Sequence, residues 1–167
     1  MTTTLFTNAH IATGEPGSTA ASTLPLQDIL VTDGVFTAFG PGLAQQYEAQ
    51  GGDLAAIEVV DLGGKLVCPP FCDTHLHLDY VFTARKPGAV NESGTLFEGI
   101  QRWSETKSDL TVDEIKQRAK IGIKKEMLHG VQLIRSHADV TDPNLTSLKA
   151  LLELKEELKD TVTCLLY

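Results

Sequence analysis

Long apolar runs are missing from this chain. None approaches the roughly 20 residues that a membrane-spanning helix needs. The opening segment, Met1 to Phe6, carries neither a basic stretch nor a long apolar core, so no secretory signal is read there. Cysteine is scarce. Cys68, Cys72 and Cys164 are an odd number in no disulfide-scaffold pattern, which argues against a small cross-linked secreted fold and fits a reducing, cytoplasmic location. Cationic side chains are in the minority, 14 Lys and Arg against 22 Asp and Glu. The resulting formal charge of -8 argues against binding a polyanion. Neither nucleic acid nor membrane is therefore expected as a partner. Internal repeats and low-complexity tracts are absent as well.

What is there suits an ordinary globular chain. At 42% hydrophobic and 22% charged residues, 167 residues are enough for a sizeable core. One stretch carries chemistry: Val67-Cys68-Pro69-Pro70-Phe71-Cys72-Asp73-Thr74-His75-Leu76-His77-Leu78-Asp79. Residues i and i+2 of a strand share a face. A strand over Leu66 to Cys72 that runs on through the pair would aim His75 and His77 at one point. Neutral imidazole is a favoured ligand for zinc and also suits iron. A His-x-His pair also arises by chance, so its setting matters. A Gly63-Gly64 turn precedes it, and the end of a buried strand is where a parallel α/β barrel keeps its chemistry. Cys68 and Cys72 beside the pair also allow a Cys2His2 cluster, the less favoured arrangement because thiols are common in cores.

The first part of the chain, residues 1–65, reads as β. Leu5 to Ile11 and Ile57 to Leu62 are strand candidates. Asp28 to Gly40 reads as a hairpin about Asp33-Gly34, a type I′ signal. Ala12 to Thr23 is rich in Gly, Ser, Thr and Pro and reads as a loop. Gly42 to Asp53 offers a short helix. These few strands suggest a small, incomplete β-sandwich. From residue 66 to 167 strand and helix alternate, which predicts parallel βα units. Thr95-Leu96-Phe97-Glu98 and Thr111-Val112-Asp113-Glu114 have the capping-box form. The second opens a helix with an apolar stripe of Ile115, Ala119, Ile123 and Met127, closed by Gly130. Val131 to His137 reads as a strand. Asp142-Pro143 reads as a helix start, with Leu145, Leu148, Leu152 and the Lys155 stem facing the core and Glu153, Glu156, Glu157 and Lys159 in water. Thr161 to Tyr167 is a third strand. Three such units do not close an eight-stranded barrel of about 250 residues, so the chain reads as the N-terminal part of a larger enzyme.

Two sets of residues resemble a known family. Asp28-Ile29-Leu30-Val31-x-Asp33-Gly34 and Asp61-Leu62-Gly63-Gly64-Lys65-Leu66-Val67-x-Pro69-x-Phe71-x-Asp73-x-His75-x-His77 resemble the opening of the amidohydrolase superfamily. His75 to Asp79, Ser93 to Trp103, Arg135 to Val140 and Leu145 to Glu153 resemble its bacterial cytosine deaminase branch. The resemblance implies an α/β fold: the N-terminal part of a metal-dependent, TIM-like (β/α)8 barrel, with a small β-sandwich. It implies one divalent metal ion, zinc or iron, with His75 and His77 as its first two ligands. It implies that the Leu96 backbone carbonyl faces a pyrimidine. The reaction implied is hydrolysis of cytosine to uracil and ammonia by metal-activated hydroxide, a step in pyrimidine salvage. The family's third His, its Asp ligand, its Glu and further His for proton transfer, and a Gln after the third strand have no match here. No catalytic residue is therefore assigned within the chain, and residues 1–167 alone are expected to hold no metal tightly and to lack activity. The expected partner is a small nucleobase, and the full-length enzyme is expected to be a homo-oligomer.

Several residues keep two readings. His137 either lines the site or is a hydrogen-bonded core histidine. Asp79 either orients an imidazole or caps a loop, the latter favoured. Asp73 shares the face of His75 by alternation, and the resemblance implies that it supports the site without ligating. Phe97 and Trp103 read as packing on one helix face more than as a platform for a base. Alternative functions are a sibling enzyme for isocytosine, isoguanine, creatinine or an aminotriazine, and a non-catalytic fragment that completes or binds another chain.

Overall fold

The computed structural model describes residues 2–12 and 24–167. The loop expected over Ala12 to Thr23 therefore lies, beyond Ala12, outside the described residues. The chain divides into two compact units, one through Pro69 and one from Pro70 to Tyr167.

Among its described residues the first unit is one five-stranded sheet with a short α-helix. Its strands are β1 (Thr3–Ile11), β2 (Leu26–Thr32), β3 (Val35–Gly40), β4 (Glu58–Asp61) and β5 (Leu66–Val67). Their order is β3-β2-β1-β4, with β5 pairing β1 beyond β4. The β2–β3 hairpin turns at Asp33 and Gly34, both at positive φ (49° and 78°), as a type I′ turn requires. Leu5, Ala9 and Ile29 are buried with Leu43, the first residue of helix α1 (Leu43–Ala49). That helix has no side-chain cap of its own. Asp28, 8% exposed, supplies one from β2: its Oδ2 accepts from Leu43 N at 2.9 Å, and its Oδ1 accepts from Asn8 N at 3.1 Å.

The expected strand Leu66 to Cys72 is two strands. Pro69 and Pro70 have no N–H to donate and interrupt it. Leu66 and Val67 pair with β1 in the first unit, so the division falls after Pro69 and not after Lys65. The strand that carries His75 starts afresh as β6 (Phe71–Leu76).

In the second unit β6, β7 (Val131–Ser136) and β8 (Thr163–Leu166) form a parallel sheet in that order. Helices α2 (Leu96–Lys107) and α3 (Val112–Leu128) connect β6 to β7, and α4 (Thr146–Glu157) connects β7 to β8. Both expected N-caps are present. Thr95 Oγ1 accepts from Glu98 N (3.4 Å), and Thr111 Oγ1 from Glu114 N (3.2 Å). Ile115, Ala119 and Ile123 are buried, and Met127 packs against them. Gly130, at φ 85°, follows the helix in the left-handed conformation that residues with a Cβ resist. These side chains meet Leu78, Ile134, Ala150, Leu151, Leu154 and Val162 in one core.

Helix α4 departs from expectation. It starts at Thr146 after Leu145 in the left-handed region (φ 52°). Asp142 is not its N-cap. The Asp142 carboxylate closes the preceding turn by accepting from Asn144 N (3.0 Å) and Thr146 N (2.9 Å). The buried face is Ser147, Ala150, Leu151 and Leu154, while Leu145 and Leu152 are exposed. The charged face does lie outside: Glu153 and Glu157 pair with Lys116, and Glu157 with Lys120.

Candidate metal centre

The three strands of the second unit reach one edge together. Leu76 of β6 is in register with Ser136 of β7, and Ser136 with Leu166 of β8. The next residues are His77, His137 and Tyr167. His137 N donates to Leu76 O (2.8 Å), and Tyr167 N to Ser136 O (3.0 Å), so each is pinned where it leaves the sheet. Buried Ser136 ties the loop as well. Its Oγ accepts from Leu78 N (3.1 Å) and donates to His137 O (2.9 Å).

Three imidazoles converge there. Ring centroids lie 5.4 Å apart for His75–His77, 4.5 Å for His75–His137 and 4.9 Å for His77–His137. One ring nitrogen from each lies within 4.8 Å of the others. Tyr80 stacks on the far side of this group, 4.6 Å from His77, and Tyr167 meets His137 edge-on at 5.3 Å. Burial pushes the His77 imidazole below its ordinary pKa, helped by the neighbouring His137 and His75, while the Asp79 charge opposes. The neutral form so favoured is the one that binds metal. An all-imidazole donor set of this kind fits a borderline divalent ion. Cys68 and Cys72 are exposed, and among the described residues no cysteine joins the imidazoles, which leaves a Cys2His2 cluster without support.

His137, for which two readings stood open, stands with the histidine pair. Asp79 is wholly buried, and its hydrogen bonds are those of a loop cap. Oδ2 accepts from Asp139 N (2.7 Å) and Oδ1 from Tyr80 N (3.1 Å). Burial raises its carboxyl, with the Asp139 N–H and the His77 charge pulling the other way. Asp73 stands at a shift in the β6–β7 register, which falls between it and Leu76. Its Oδ1 accepts from the His75 backbone N–H (2.9 Å) and so fixes the main chain under the ligand candidate.

Leu96 opens α2, 75% exposed. It borders a cleft of about 300 Å³ with Tyr80, Asn91, Ile100 and Trp103. Trp103 is half-buried, packed on Tyr80 at 5.0 Å. Phe97 is 84% exposed and shares no packing face with it, a correction to the expected pair. The offset explains this: six residues are 600° of helix, 120° away from a whole number of turns. Tyr80, Asp139 and Tyr167 escaped the sequence reading. Only their places just after the two histidine-bearing segments and at the end of the third strand could have signalled them. Asp139 accepts from Trp103 Nε1, Lys107 Nζ and Thr141. Burial would raise its pKa, but these donors, Thr141 first, hold it at about 2.

Residues 58–155 match the Amidohydrolase family. The chain belongs to that family. Amidohydrolases are metal-dependent, and the imidazole cluster is this chain's candidate site for the ion. Its mixed α/β structure is similar to the crystal structure of 5-methylcytosine deaminase from Klebsiella pneumoniae liganded with 5-fluorocytosine. The TM-score is 0.77 and the identity 36%, over 97% of this chain and 35% of that one. N-isopropylammelide isopropyl amidohydrolase of Pseudomonas sp. (strain ADP) is 35% identical over 107 residues, 62% of this chain and 27% of that protein. Pterin deaminase of Rhizobium rhizogenes is 25% identical over 139 residues, 81% of this chain and 29% of that protein. The chain thus spans about a third or less of the length of these amidohydrolases. Among its described residues no helix is long and apolar enough to cross a membrane.

Proposed function

We propose that the full-length protein carrying this chain is a metal-dependent hydrolytic deaminase of a free amino-heterocycle, with cytosine or a ring-substituted cytosine as substrate. The observation that carries the reading is the convergence of His75 and His77 at the strand edge of a chain 36% identical, over nearly its whole length, to a 5-methylcytosine deaminase. In this reading the chain supplies a β-sandwich portion and the first three β/α units of an eight-stranded barrel. The exposed Leu133 and Leu165, on the sheet face opposite buried Ile134 and Cys164, are consistent with further strands closing over them.

His75 and His77 would hold one zinc or iron ion. When bound, such an ion lowers the pKa of water towards neutrality and so makes a nucleophile available. Asp73 would keep the His75 backbone fixed, and Tyr80 would shield one face of His77 from solvent. The Leu96 carbonyl would accept from a ring N–H, with the apolar cleft beside it taking a ring substituent. The remaining ligands and the acid–base groups would come from segments beyond residue 167.

Ammonia release from cytosine and 5-methylcytosine by the metal-loaded full-length protein tests this reading. We expect turnover, and its loss in His75→Ala. Turnover confined to an alkylamino-triazine would keep the family and overturn the substrate.

A further inference from the structure

We infer that Asp139 is a positioning residue for the imidazole cluster, acting through Trp103 and through the loop that carries His137. The inference rests on the metal-site reading above and goes beyond it, because Asp139 touches neither His75 nor His77 and belongs to no ligand set.

The geometry forms a closed circuit. Asp139 lies two residues past His137, as Asp79 lies two past His77. The Asp139 N–H donates to Asp79 Oδ2 at 2.7 Å, so one bond ties the two segments at equal distances beyond their imidazoles. The Asp139 carboxylate then reaches sideways to α2, where Oδ2 accepts from Trp103 Nε1 and, at 3.3 Å, from Lys107 Nζ. The Trp103 ring packs on Tyr80 (5.0 Å), Tyr80 on His77 (4.6 Å), and His77 on His137 (4.9 Å), which returns to Asp139 along the chain. Each ring in the circuit is held on two sides. Removing the Asp139 carboxylate frees the indole and loosens the turn after His137, while the backbone tie to Asp79 remains. A simpler role, closing the turn to Thr141, accounts for Oδ1 alone, which accepts from Thr141 N (2.7 Å) and Oγ1 (2.6 Å). It leaves the two donors on Oδ2 unexplained. Groups that orient metal-binding imidazoles from outside the ligand set are commonly worth about 10–100-fold in metal affinity.

The test is Co2+ titration of the full-length protein, followed by affinity and by the visible d–d spectrum. Asp139→Asn should melt cooperatively, bind Co2+ about 10–100-fold more weakly and show a shifted d–d band. A merely structural role would not move that band. Trp103→Phe keeps a ring and deletes the N–H donor. It should weaken Co2+ binding in the same direction, and the double variant should be less than additive because the two changes cut one path. Wild-type affinity and spectrum in Asp139→Asn overturn the inference. If that variant does not fold, Trp103→Phe decides, and unchanged Co2+ binding overturns it. His75→Ala separates the two readings. A wild type without His75-dependent Co2+ uptake overturns the metal site and this inference together. A wild type that binds, with Asp139→Asn indistinguishable from it, overturns only the inference.

Discussion

Glu98 shows how far a local signal reaches and where it stops. The Thr-x-x-Glu pattern locates the α2 start correctly, and Thr95 caps it. The reciprocal arm of a capping box would send the Glu98 carboxylate back to Thr95 N. It goes further back instead, accepting from Ser93 Oγ, from Ser93 N (2.7 Å) and from Glu92 N (3.1 Å). The path of residues 91–94 decides this, and the pattern does not encode that path. Those bonds, the Ser93 hydroxyl first, hold the Glu98 carboxyl at about 2. A carboxyl depressed by folding contributes order above its unfolded value, about 4.3, and loses it as pH falls through its folded value. Amide protection factors at 92–98, taken against the intrinsic exchange rate at each pH, should therefore stay high at pH 5 and fall from about pH 4 towards pH 2. In Glu98→Gln the protection should be low and nearly flat with pH. A flat wild-type profile would contradict the assignment.

Among elements, α3 was legible and α4 was not, for a reason visible in their side chains. Helix α3 has one apolar stripe, Ile115, Ala119, Ile123 and Met127, so only one phase buries it. In α4, leucines at 148, 151, 152 and 154 allow two phases about a residue apart. The turn held by Asp142 starts the helix at Thr146 and selects the phase that buries Leu151 and Leu154. The two neighbouring leucines therefore make a sharp comparison. Leu151→Ala should destabilise the protein by about 2–5 kcal/mol, and Leu152→Ala by no more than about 0.5 kcal/mol, read from denaturant midpoints. Equal losses would restore the discarded phase. The Leu66–Cys72 strand failed differently: hydrophobic pattern runs through Pro69-Pro70, while hydrogen bonding does not.

For the whole molecule, the alternation of strand and helix was enough to give a parallel β6-β7-β8 sheet and to put the histidine pair at its C-terminal edge. Pattern could not give the covering of that sheet, because helices pack on one face while Leu133 and Leu165 stay exposed on the other. Open apolar surface of this kind drives association. Residues 1–167 expressed alone should self-associate, and Leu133→Glu with Leu165→Glu should shift them towards monomer with helix content retained, as read by light scattering and circular dichroism. A monodisperse monomer without the substitutions would show that this face needs no cover.

The common stopping row of Leu76, Ser136 and Leu166 has a consequence for folding fidelity. Side chains alternate faces along a strand, so a slip of β7 by one residue would turn His137 away from the histidine pair and bring Ser136 or Ala138 into its place. Only the native alignment gathers three imidazoles. A ligand held by all three rings would therefore stabilise correctly paired strands and not slipped ones, and its binding would proofread strand pairing.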